Sequence, residues 1–310
     1  MDKLDKIKGC LVGLAIGDAL GVHLEFTKPG SFTPITTYTE GNPYNIPLGY
    51  WTDDTSMALC MADSLIEKKG FDAEDIMNKF CEWQRKGYRS STGRCFDIGN
   101  TTRNALLAYW SNPSGGPFRG FTDVLSAGNG SIMRLAPIPI FYHNDEVAAV
   151  YLSGESSRIT HGNPNCIEAC RALAEIIYTG INTPISKSDS SNLALLYTKY
   201  KPQSKLIEDV IHGSYCDKMD NEIKGSGYVV ESLEAALWAY HNSSSFEDAI
   251  LKAVNLGDDA DTTGAVCGQI AGAFYGYDAI PQHLKDGLYQ HDMLVELSKK
   301  LYESSFLKIQ

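Results

Sequence analysis

Two stripes of glycine constrain the fold of this 310-residue chain more than any other feature. In two segments a glycine stands at every fourth position: Gly9, Gly13, Gly17 and Gly21, and then Gly264, Gly268, Gly272 and Gly276. Glycine disfavours a helix by about 1 kcal/mol relative to alanine. Two helices that each keep four glycines on one face must therefore gain more from close backbone packing than the glycines cost.

Two acid-rich patches accompany these helices. They are Trp51-Thr52-Asp53-Asp54-Thr55 and Gly257-Asp258-Asp259-Ala260-Asp261-Thr262-Thr263. Small and apolar residues follow each patch at helical spacing, which places the acids at helix N-termini. A helix-capping role would account for one acid at the start of each helix, but not for the four acids Asp53, Asp54, Asp259 and Asp261. Because acids are seldom buried unless they are paired or bind a metal, and almost no basic residue is nearby, we expect a metal site.

The charge balance and the cysteines exclude several classes of protein. The chain has 38 acidic and 27 basic residues, and no run of Lys and Arg exceeds two, so a nucleic-acid partner is not expected. The eight cysteines are scattered without a Cys-x-x-Cys pair, as in a reduced core. The apolar run near the N-terminus is too short for a secretory signal and lacks a cleavage site. We therefore expect a soluble, cytoplasmic protein with no membrane association.

Helical patterns dominate the chain and predict an all-α fold. Strand signals are weak, and only Gly227-Tyr228-Val229-Val230 could pair. Without a Pro/Ser linker, residues 1–310 are expected to form one compact multi-helix domain. The loops at 27–50 and 111–131 are long enough to suggest a binding role. The predicted helices are 3–20, 54–69 ending at Gly70, 72–86 ending at Gly87, 101–110, 145–158, 164–179, 190–199, 228–241, 246–254, 262–275 and 293–305.

Four motifs follow one another along the chain. They are Gly17-Asp18-Ala19-Leu20-Gly21 with Glu25, Trp51-Thr52-Asp53-Asp54-Thr55, Gly128-Asn129-Gly130-Ser131-Ile132-Met133-Arg134, and Asn255-Leu256-Gly257-Asp258-Asp259-Ala260-Asp261-Thr262-Thr263. In this order they resemble the motifs of the ADP-ribosylglycohydrolase family, in its branch with the dinitrogenase reductase-activating glycohydrolase. The resemblance covers residues 5–285, and four motifs in register are far more specific than any one of them. It implies an all-helical domain with a central binuclear metal cleft.

The resemblance also implies a set of metal ligands. These are Thr52, Asp53, Asp54, Asp259, Asp261 and Thr262. Carboxylate and hydroxyl oxygens without sulfur or imidazole select hard ions, so two Mg²⁺ or Mn²⁺ ions are expected. Asp258 stands where the family often has glycine and is interpreted as an outward or supporting acid. Asp18 is interpreted as an acid that orients the first loop, with contact to a metal-bound water as the alternative.

Three acids are candidates for the chemistry. Glu25 is the first candidate for proton transfer, and Asp54 is the alternative. The competing interpretation of Glu25 is an acid on the protein surface. Asp97 is expected to receive a guanidinium, and the competing reading is a helix cap. Gly99 and Asn100 belong to the same substrate-binding stretch.

The remaining candidates are expected to bind substrate. Backbone N–H groups of the glycine-rich turn should contact the pyrophosphate, as such turns do at helix starts. The candidates are Gly128, Asn129, Gly130, Ser131, Met133 and His161, of which His161 could equally be a packing or capping group, while Arg134 is interpreted as structural.

The activity that the resemblance implies is a metal-dependent hydrolase, a glycosidase that removes ADP-ribose from modified protein side chains. Arginine is the expected linkage, through a transition state with oxocarbenium character. ADP-ribosyl-serine, O-acetyl-ADP-ribose or another conjugate is the alternative substrate. A non-catalytic ADP-ribose binder or crystallin-like relative is the third hypothesis. The expected partners are an ADP-ribosylated protein and ADP-ribose, and we expect a monomer.

Overall fold

The computed structural model describes residues 2–183 and 200–307, and helices account for the regular structure in these ranges. Only two isolated β-bridges, Phe121 with His161 and Gly128 with Tyr228, occur there, and no strand. The prediction of an all-α fold is confirmed. The α-helices are α1 (Lys3–Gly21), α2 (Asp53–Lys68), α3 (Ala73–Lys86), α4 (Asn100–Ser111), α5 (Pro137–Phe141), α6 (Glu146–Arg158), α7 (Pro164–Asn182), α8 (Lys205–Ile211), α9 (Val229–His241), α10 (Phe246–Val254), α11 (Ala260–Tyr275), α12 (Gln282–Gly287) and α13 (His291–Ser304).

The two glycine stripes pack against each other and form the centre of the molecule. A Cβ atom on Gly13 would lie 3.1 Å from the carbonyl carbon of Gly268, and one on Gly264 would lie 2.9 Å from that of Gly17. Side chains larger than hydrogen would therefore force α1 and α11 apart. The pairing of Gly13 with Gly268 and of Gly17 with Gly264 makes the helices antiparallel, so the end of α1 meets the start of α11.

The other helices cover this central pair. Helices α7, α9 and α10 pack against α11, while α2 and α13 pack against α1. Every residue of α1 from Gly9 to Gly21 is buried, as expected for a helix that is surrounded on all sides. Residues 3–24 are also long and apolar enough to cross a membrane, but 89% of the 18-residue apolar window within them is buried inside the fold. All eight cysteines are free thiols, and six of them are buried.

The long segment between α1 and α2 crosses the start of α11 and is fixed there by backbone hydrogen bonds. The Phe26 N–H donates to the carbonyl of Asp258 at 2.7 Å, and the Asp258 N–H donates to the carbonyl of Thr27 at 2.8 Å. Further along, Asn255 pairs with both backbone groups of Ile35 through its side chain, at 2.8 and 3.0 Å. This segment therefore packs beside the acid patch at residues 257–263.

Most predicted helices agree with the structure to within three residues at each end, and the differences have local causes. Helix α2 ends at Lys68, one residue earlier than predicted, because Lys69 rather than Gly70 stops the helix by adopting the left-handed conformation (φ 56°). Val229 and Val230 begin a helix rather than a strand, and only Tyr228 forms a β-bridge. The short helices α5, α8 and α12 were not predicted because each is too brief for a periodic pattern. The predicted helix 190–199 lies outside the described residues.

Candidate active site

A cavity of about 490 Å³ opens at the end of the α1–α11 pair, within the usual size range of small-molecule sites. It brings together most of the residues that the sequence singled out, from six separate stretches of chain. Among the predicted site residues its lining includes Glu25, Asp53, Asp97, Gly99, Asn100, Gly128, Asn129, Gly130, Met133, His161, Asp259, Asp261 and Thr262.

The two acid patches converge at the floor of this cavity. The Thr52 hydroxyl at the start of α2 lies 3.1 Å from an Asp54 oxygen and 3.3 Å from an Asp261 oxygen at the start of α11. Two triads of acids each place one oxygen per residue within 4.8 Å of one another, namely Asp18 with Asp54 and Asp261, and Glu25 with Asp259 and Asp261. Asp261 is common to both triads. Thr52 and Asp54 lie beneath the floor rather than on the cavity surface.

Asp18 links the end of α1 to the start of α2. One of its oxygens accepts hydrogen bonds from the N–H and hydroxyl of Thr52, both at 2.9 Å. The other accepts from the N–H and hydroxyl of Thr55, at 3.0 and 2.6 Å. Asp18 therefore supplies the cap that α2 lacks, since Thr52 makes no capping bond of its own. Although Asp18 lies close enough to be a ligand, four hydrogen bonds already occupy its two oxygens, so we regard it as the residue that orients the patch.

The acids of this cluster raise one another's pKa. Burial raises the pKa values of Asp53, Asp54 and Asp261 well above the ordinary range, and the neighbouring carboxylates raise them further. Burial, followed by the charge of Asp259, raises the pKa of Glu25 to about 9. No lysine or arginine in the described ranges forms an ion pair with these acids. The cluster therefore lacks the positive charge that buried carboxylates require.

The donor set fits a hard divalent cation. Asp54 Oδ1 is buried and has no hydrogen-bond partner in the described parts of the chain. Asp259 and Thr52 occupy the positions before α11 and α2, yet neither side chain caps its helix. A buried oxygen without a donor, within a group of carboxylate and hydroxyl oxygens, is the arrangement that Mg²⁺ or Mn²⁺ prefers.

Glu25 lies between the acid cluster and the cavity. Its side chain is 6% exposed, and one oxygen accepts a hydrogen bond from the Ala260 N–H at 3.1 Å. The surface reading of Glu25 is therefore wrong. Asp258, by contrast, is exposed and has φ 60°, and together with Gly257 at φ 74° it forms a left-handed turn. This turn explains why glycine suits position 258, and it directs the Asp258 side chain away from the cluster.

The turn 128–134 supplies another part of the cavity lining. The Asn129 N–H donates to the Gly227 carbonyl at 3.0 Å, and its side chain donates to Asp259 Oδ2 at 3.0 Å. Asn129 therefore supports the acid cluster, and its N–H is not available to a phosphate. Within residues 2–183 and 200–307 the N–H groups of Gly128, Gly130 and Ser131 donate to no protein acceptor.

The sequence predicts that this turn binds through its backbone and stands at a helix start, and the second of these predictions is wrong. The Ser131 side chain does not line the cavity, because its hydroxyl is buried and accepts a hydrogen bond from Ser157 at 3.0 Å. Nor does the turn open a helix directly, since α5 begins only at Pro137. The backbone of residue 131 is the part that remains able to bind a ligand.

Asp97 also lines the cavity. It adopts φ 54°, and Gly99 rather than Asp97 occupies the cap position of α4, so the capping alternative is wrong. The Tyr44 hydroxyl donates a short hydrogen bond to Asp97 Oδ1. Burial is the largest cause that raises the pKa of Asp97 to about 6, against the lowering effect of Tyr44.

Tyr44 is a site residue that the sequence analysis missed. Its ring lies 5.4 Å from that of Phe96 and 6.4 Å from that of Phe26, which makes an aromatic wall beside the Asp97 carboxylate. The Asn42 side chain accepts hydrogen bonds from the Tyr44 and Ile46 N–H groups and so builds the turn that presents Tyr44. The length of the 27–50 loop was the available signal, but nothing in the loop identified Tyr44.

Comparison with known proteins gives a consistent result. The sequence model of the ADP-ribosylglycohydrolase family matches residues 1–308. The chain is 42% identical to the ADP-ribosylarginine hydrolase Tri1 of Serratia proteamaculans (strain 568), over 97% of this chain and 80% of that protein. It is 30% identical to the ADP-ribosyl-[dinitrogen reductase] glycohydrolase of Rhodospirillum rubrum, over 94% of this chain and 92% of that protein. A solved structure described as an ADP-ribosylglycohydrolase-related protein complex has a TM-score of 0.85 and 36% identity, and covers 98% of this chain and 99% of that chain.

Proposed function

This chain belongs to the ADP-ribosylglycohydrolase family and is a hydrolase, and we propose that it cleaves the N-glycosidic bond of ADP-ribosyl-arginine on modified proteins. The observation that carries the choice of arginine is the position of Asp97. Its carboxylate stands in the same cavity as the acid cluster, beside the rings of Tyr44 and Phe96. A carboxylate binds a guanidinium through paired hydrogen bonds, and aromatic faces bind its planar cation.

We further propose that two divalent ions, Mg²⁺ or Mn²⁺, are held by the converging patches. The proposed ligands are Thr52, Asp53, Asp54, Asp259, Asp261 and Thr262. Such ions, when bound, supply Lewis acidity toward water and the ribose hydroxyls and neutralise the carboxylates. Asp18 and Asn129 then orient the ligands through their hydrogen bonds to Thr52 and Asp259.

Glu25 is the residue that we propose to move the proton. Hydrolysis breaks the bond between the anomeric carbon and the guanidinium nitrogen, joins the water oxygen to that carbon, and gives the leaving guanidine a proton. Glu25 lines the cavity and is held by the Ala260 N–H, whereas Asp54 lies beneath the floor with one oxygen facing no donor in the described residues. This geometry favours Glu25 as the proton carrier and leaves Asp54 as a ligand.

The glycine-rich turn and His161 are proposed to hold the rest of ADP-ribose. The N–H groups of Gly128, Gly130 and Ser131, which donate to no acceptor in the described residues, offer neutral donors to the pyrophosphate. An acidic cavity needs such donors in order to bind an anion. Met133 lies beside Thr262, with its sulfur 3.9 Å from the Thr262 hydroxyl, and closes this end of the cavity. Gly99 and Asn100 lie at the rim near Asp97, where the modified side chain would enter.

The purified chain should release ADP-ribose from an ADP-ribosyl-arginine peptide when Mg²⁺ or Mn²⁺ is present, and EDTA should stop the reaction. Asp259→Asn should abolish turnover, because it removes a ligand charge from the cluster. Asp258→Asn is the matched control, since the same change at the exposed neighbouring acid should leave activity intact. Equal activity of the two variants would contradict the proposed centre.

The linkage is tested with a second substrate. Asp97→Asn should lower cleavage of the arginine peptide by at least about tenfold, because it removes the charge that would bind the guanidinium. Cleavage of an ADP-ribosyl-serine peptide, which has no cation at this position, should change little. If the unmodified chain cleaved only the ADP-ribosyl-serine peptide, the arginine proposal would be wrong and ADP-ribosyl-serine would become the proposed substrate.

A further inference from the structure

In residues 2–183 and 200–307 no carboxylate forms an ion pair with Arg134, although its side chain is among the most deeply buried there. Its side chain is 1% exposed, and its guanidinium lies 4.5 Å from the centre of the Phe80 ring. One terminal nitrogen donates to the Thr160 hydroxyl at 2.6 Å, and the other lies 3.6 Å from the Met57 sulfur. A buried guanidinium is costly unless it is hydrogen bonded, so the bond to Thr160 is a strong constraint on that hydroxyl.

The direction of this bond determines what Thr160 does next. A guanidinium only donates hydrogen bonds, so the Thr160 oxygen must accept from Arg134 and keeps one hydrogen of its own. The other partner of this hydroxyl in the described ranges is Nδ1 of His161, at 2.8 Å. All groups are satisfied when Thr160 donates to His161 Nδ1. That nitrogen then carries no hydrogen.

The opposite edge of the His161 ring faces the cavity. Nε2 lies 3.1 Å from the place where a Cβ of Gly130 would stand and 3.4 Å from that of Gly128. His161 lines the cavity, and in residues 2–183 and 200–307 no protein group pairs with its Nε2. Glycines at 128 and 130 therefore leave the space through which the imidazole edge reaches a ligand.

The charge state of the ring follows from its surroundings. Burial, and next the charge of Arg134, lower the pKa of His161 to about 3. A neutral imidazole has one N–H, and the preceding contacts place that hydrogen on Nε2.

We propose that Arg134 and Thr160 are positioning residues that fix neutral His161 as the Nε2–H tautomer, so that this N–H donates to a ligand oxygen in the cavity. The identity of the oxygen rests on the proposed function and is an oxygen of ADP-ribose. The chain of contacts runs from Arg134 through Thr160 to Nδ1 and supplies a directed donor without adding a charge. It also gives the buried arginine a role other than packing.

Nuclear magnetic resonance tests the tautomer without any ligand. The chain contains seven histidines, and a ¹⁵N-histidine label with long-range ¹H–¹⁵N correlation reports which nitrogen of each ring is protonated. The signals of His161 are assigned by their loss in His161→Phe. We expect Nε2 to be protonated and Nδ1 to be bare at neutral pH. Protonation at Nδ1, or a mixture of both tautomers, overturns the proposal.

Variants of Thr160 test the relay and its effect on binding. Thr160→Val keeps the shape but removes the hydroxyl, so the His161 tautomers should mix and the affinity for ADP-ribose with Mg²⁺, measured by calorimetry, should fall about tenfold. Thr160→Ser keeps the hydroxyl and should restore both readouts. Unchanged tautomer and affinity in Thr160→Val would refute the relay.

The proposal and the proposed function can fail separately. If the unmodified chain binds no ADP-ribose but shows the Nε2–H tautomer, the function fails and the relay stands. If it binds ADP-ribose but His161 is protonated at Nδ1, the function stands and the relay fails. Should Thr160→Val not fold, the tautomer in the unmodified chain and in Thr160→Ser still decides the question.

Discussion

The substitution Gly264→Ala tests whether the glycine stripes hold the two acid patches together. The added Cβ would lie 2.8 Å from Val254 Cγ1 and 2.9 Å from the carbonyl carbon of Gly17, and it would lie closer still to that carbonyl's oxygen. Ordinary contact begins at 3.4 Å, so the Gly17 backbone must retreat by at least 0.5 Å. Because the obstacle is backbone, no side-chain rotation can relieve it.

Two opposing contributions determine the change in stability. Alanine favours the helix by about 1 kcal/mol relative to glycine. Overpacking of a close-packed core typically costs about 1–3 kcal/mol, and a clash with backbone belongs at the upper end of that range. The net effect should be a loss of about 2 kcal/mol in the free energy of unfolding. Gly264→Ala, a type of change that normally stabilises a helix, should therefore lower the melting temperature by several degrees.

The effect on activity should exceed the effect on stability. Gly264 follows Asp261 by three residues, and Gly17 directly precedes Asp18, so any separation of the helices displaces the acid cluster. A misplacement of about 1 Å can cost about 100-fold in rate, and we expect at least a tenfold loss of kcat at a temperature where the variant is folded.

Gly272→Ala is the matched comparison for this variant. Its Cβ would lie 2.7 Å from the Cys10 nitrogen, so the clash is as severe, but the position is eight residues or about 12 Å farther along α11 from the acids. It should lose stability and keep most of its activity. Gly70→Ala meets only the Tyr142 hydroxyl at 3.6 Å and should change neither property. Normal stability of both stripe variants, or equal loss of activity in both, would contradict the proposed role of the glycine stripes in positioning the acids.

Three further predictions concern the site. Asp54→Asn should weaken Mg²⁺ or Mn²⁺ binding in calorimetry by at least about tenfold while helical circular dichroism is kept, and unchanged affinity would remove Asp54 from the ligands. Tyr44→Phe should raise KM for the arginine peptide about three- to tenfold with little change in kcat, since it removes a donor that orients Asp97; a fall in kcat alone would contradict a binding role. In EDTA the melting temperature should fall as pH rises from about 4.5 toward 9, because the pKa of Glu25 is higher in the folded than in the unfolded chain, so folding favours its protonated form. Mg²⁺ should remove this trend. A melting temperature that rises with pH in EDTA would be evidence against a buried acid cluster without positive charge.

The sequence predicts the helices of this fold well because each carries its own periodic signal. Helix α10 was predicted with its observed ends, and Asp72 and Gly87 mark the ends of α3 as cap residues. The stripes predicted that α1 and α11 would each pack closely, but glycine spacing does not name the partner. That the partner of one stripe is the other, in antiparallel orientation, depends on the arrangement of the whole chain.

The site residues likewise fall into those that the sequence identified and those that it did not. Asp53, Asp259 and Asp261 were identifiable because each belongs to a dense local motif. Tyr44 and Thr160 were not, because each acts through one long-range hydrogen bond, to Asp97 and from Arg134 respectively. Single contacts of this kind leave no pattern in the neighbouring residues, and only the folded chain reveals them.

The geometry also explains how such an acidic cluster can be assembled at all. Helices α2 and α11 both direct their N-termini toward the cluster, and the positive end of each helix dipole favours negative charge there. Asp18 accepts hydrogen bonds from the N–H groups of Thr52 and Thr55 at the start of α2, so the positive end of that helix compensates part of its negative charge. The close α1–α11 contact sets the distance between Asp18 and Asp261, whereas Asp53, Asp54 and Asp259 form no ion pair in the described ranges. Packing of glycines therefore determines where the acids meet, and Asp54 Oδ1, which has no hydrogen-bond partner in the described residues, is where we expect a cation to bind.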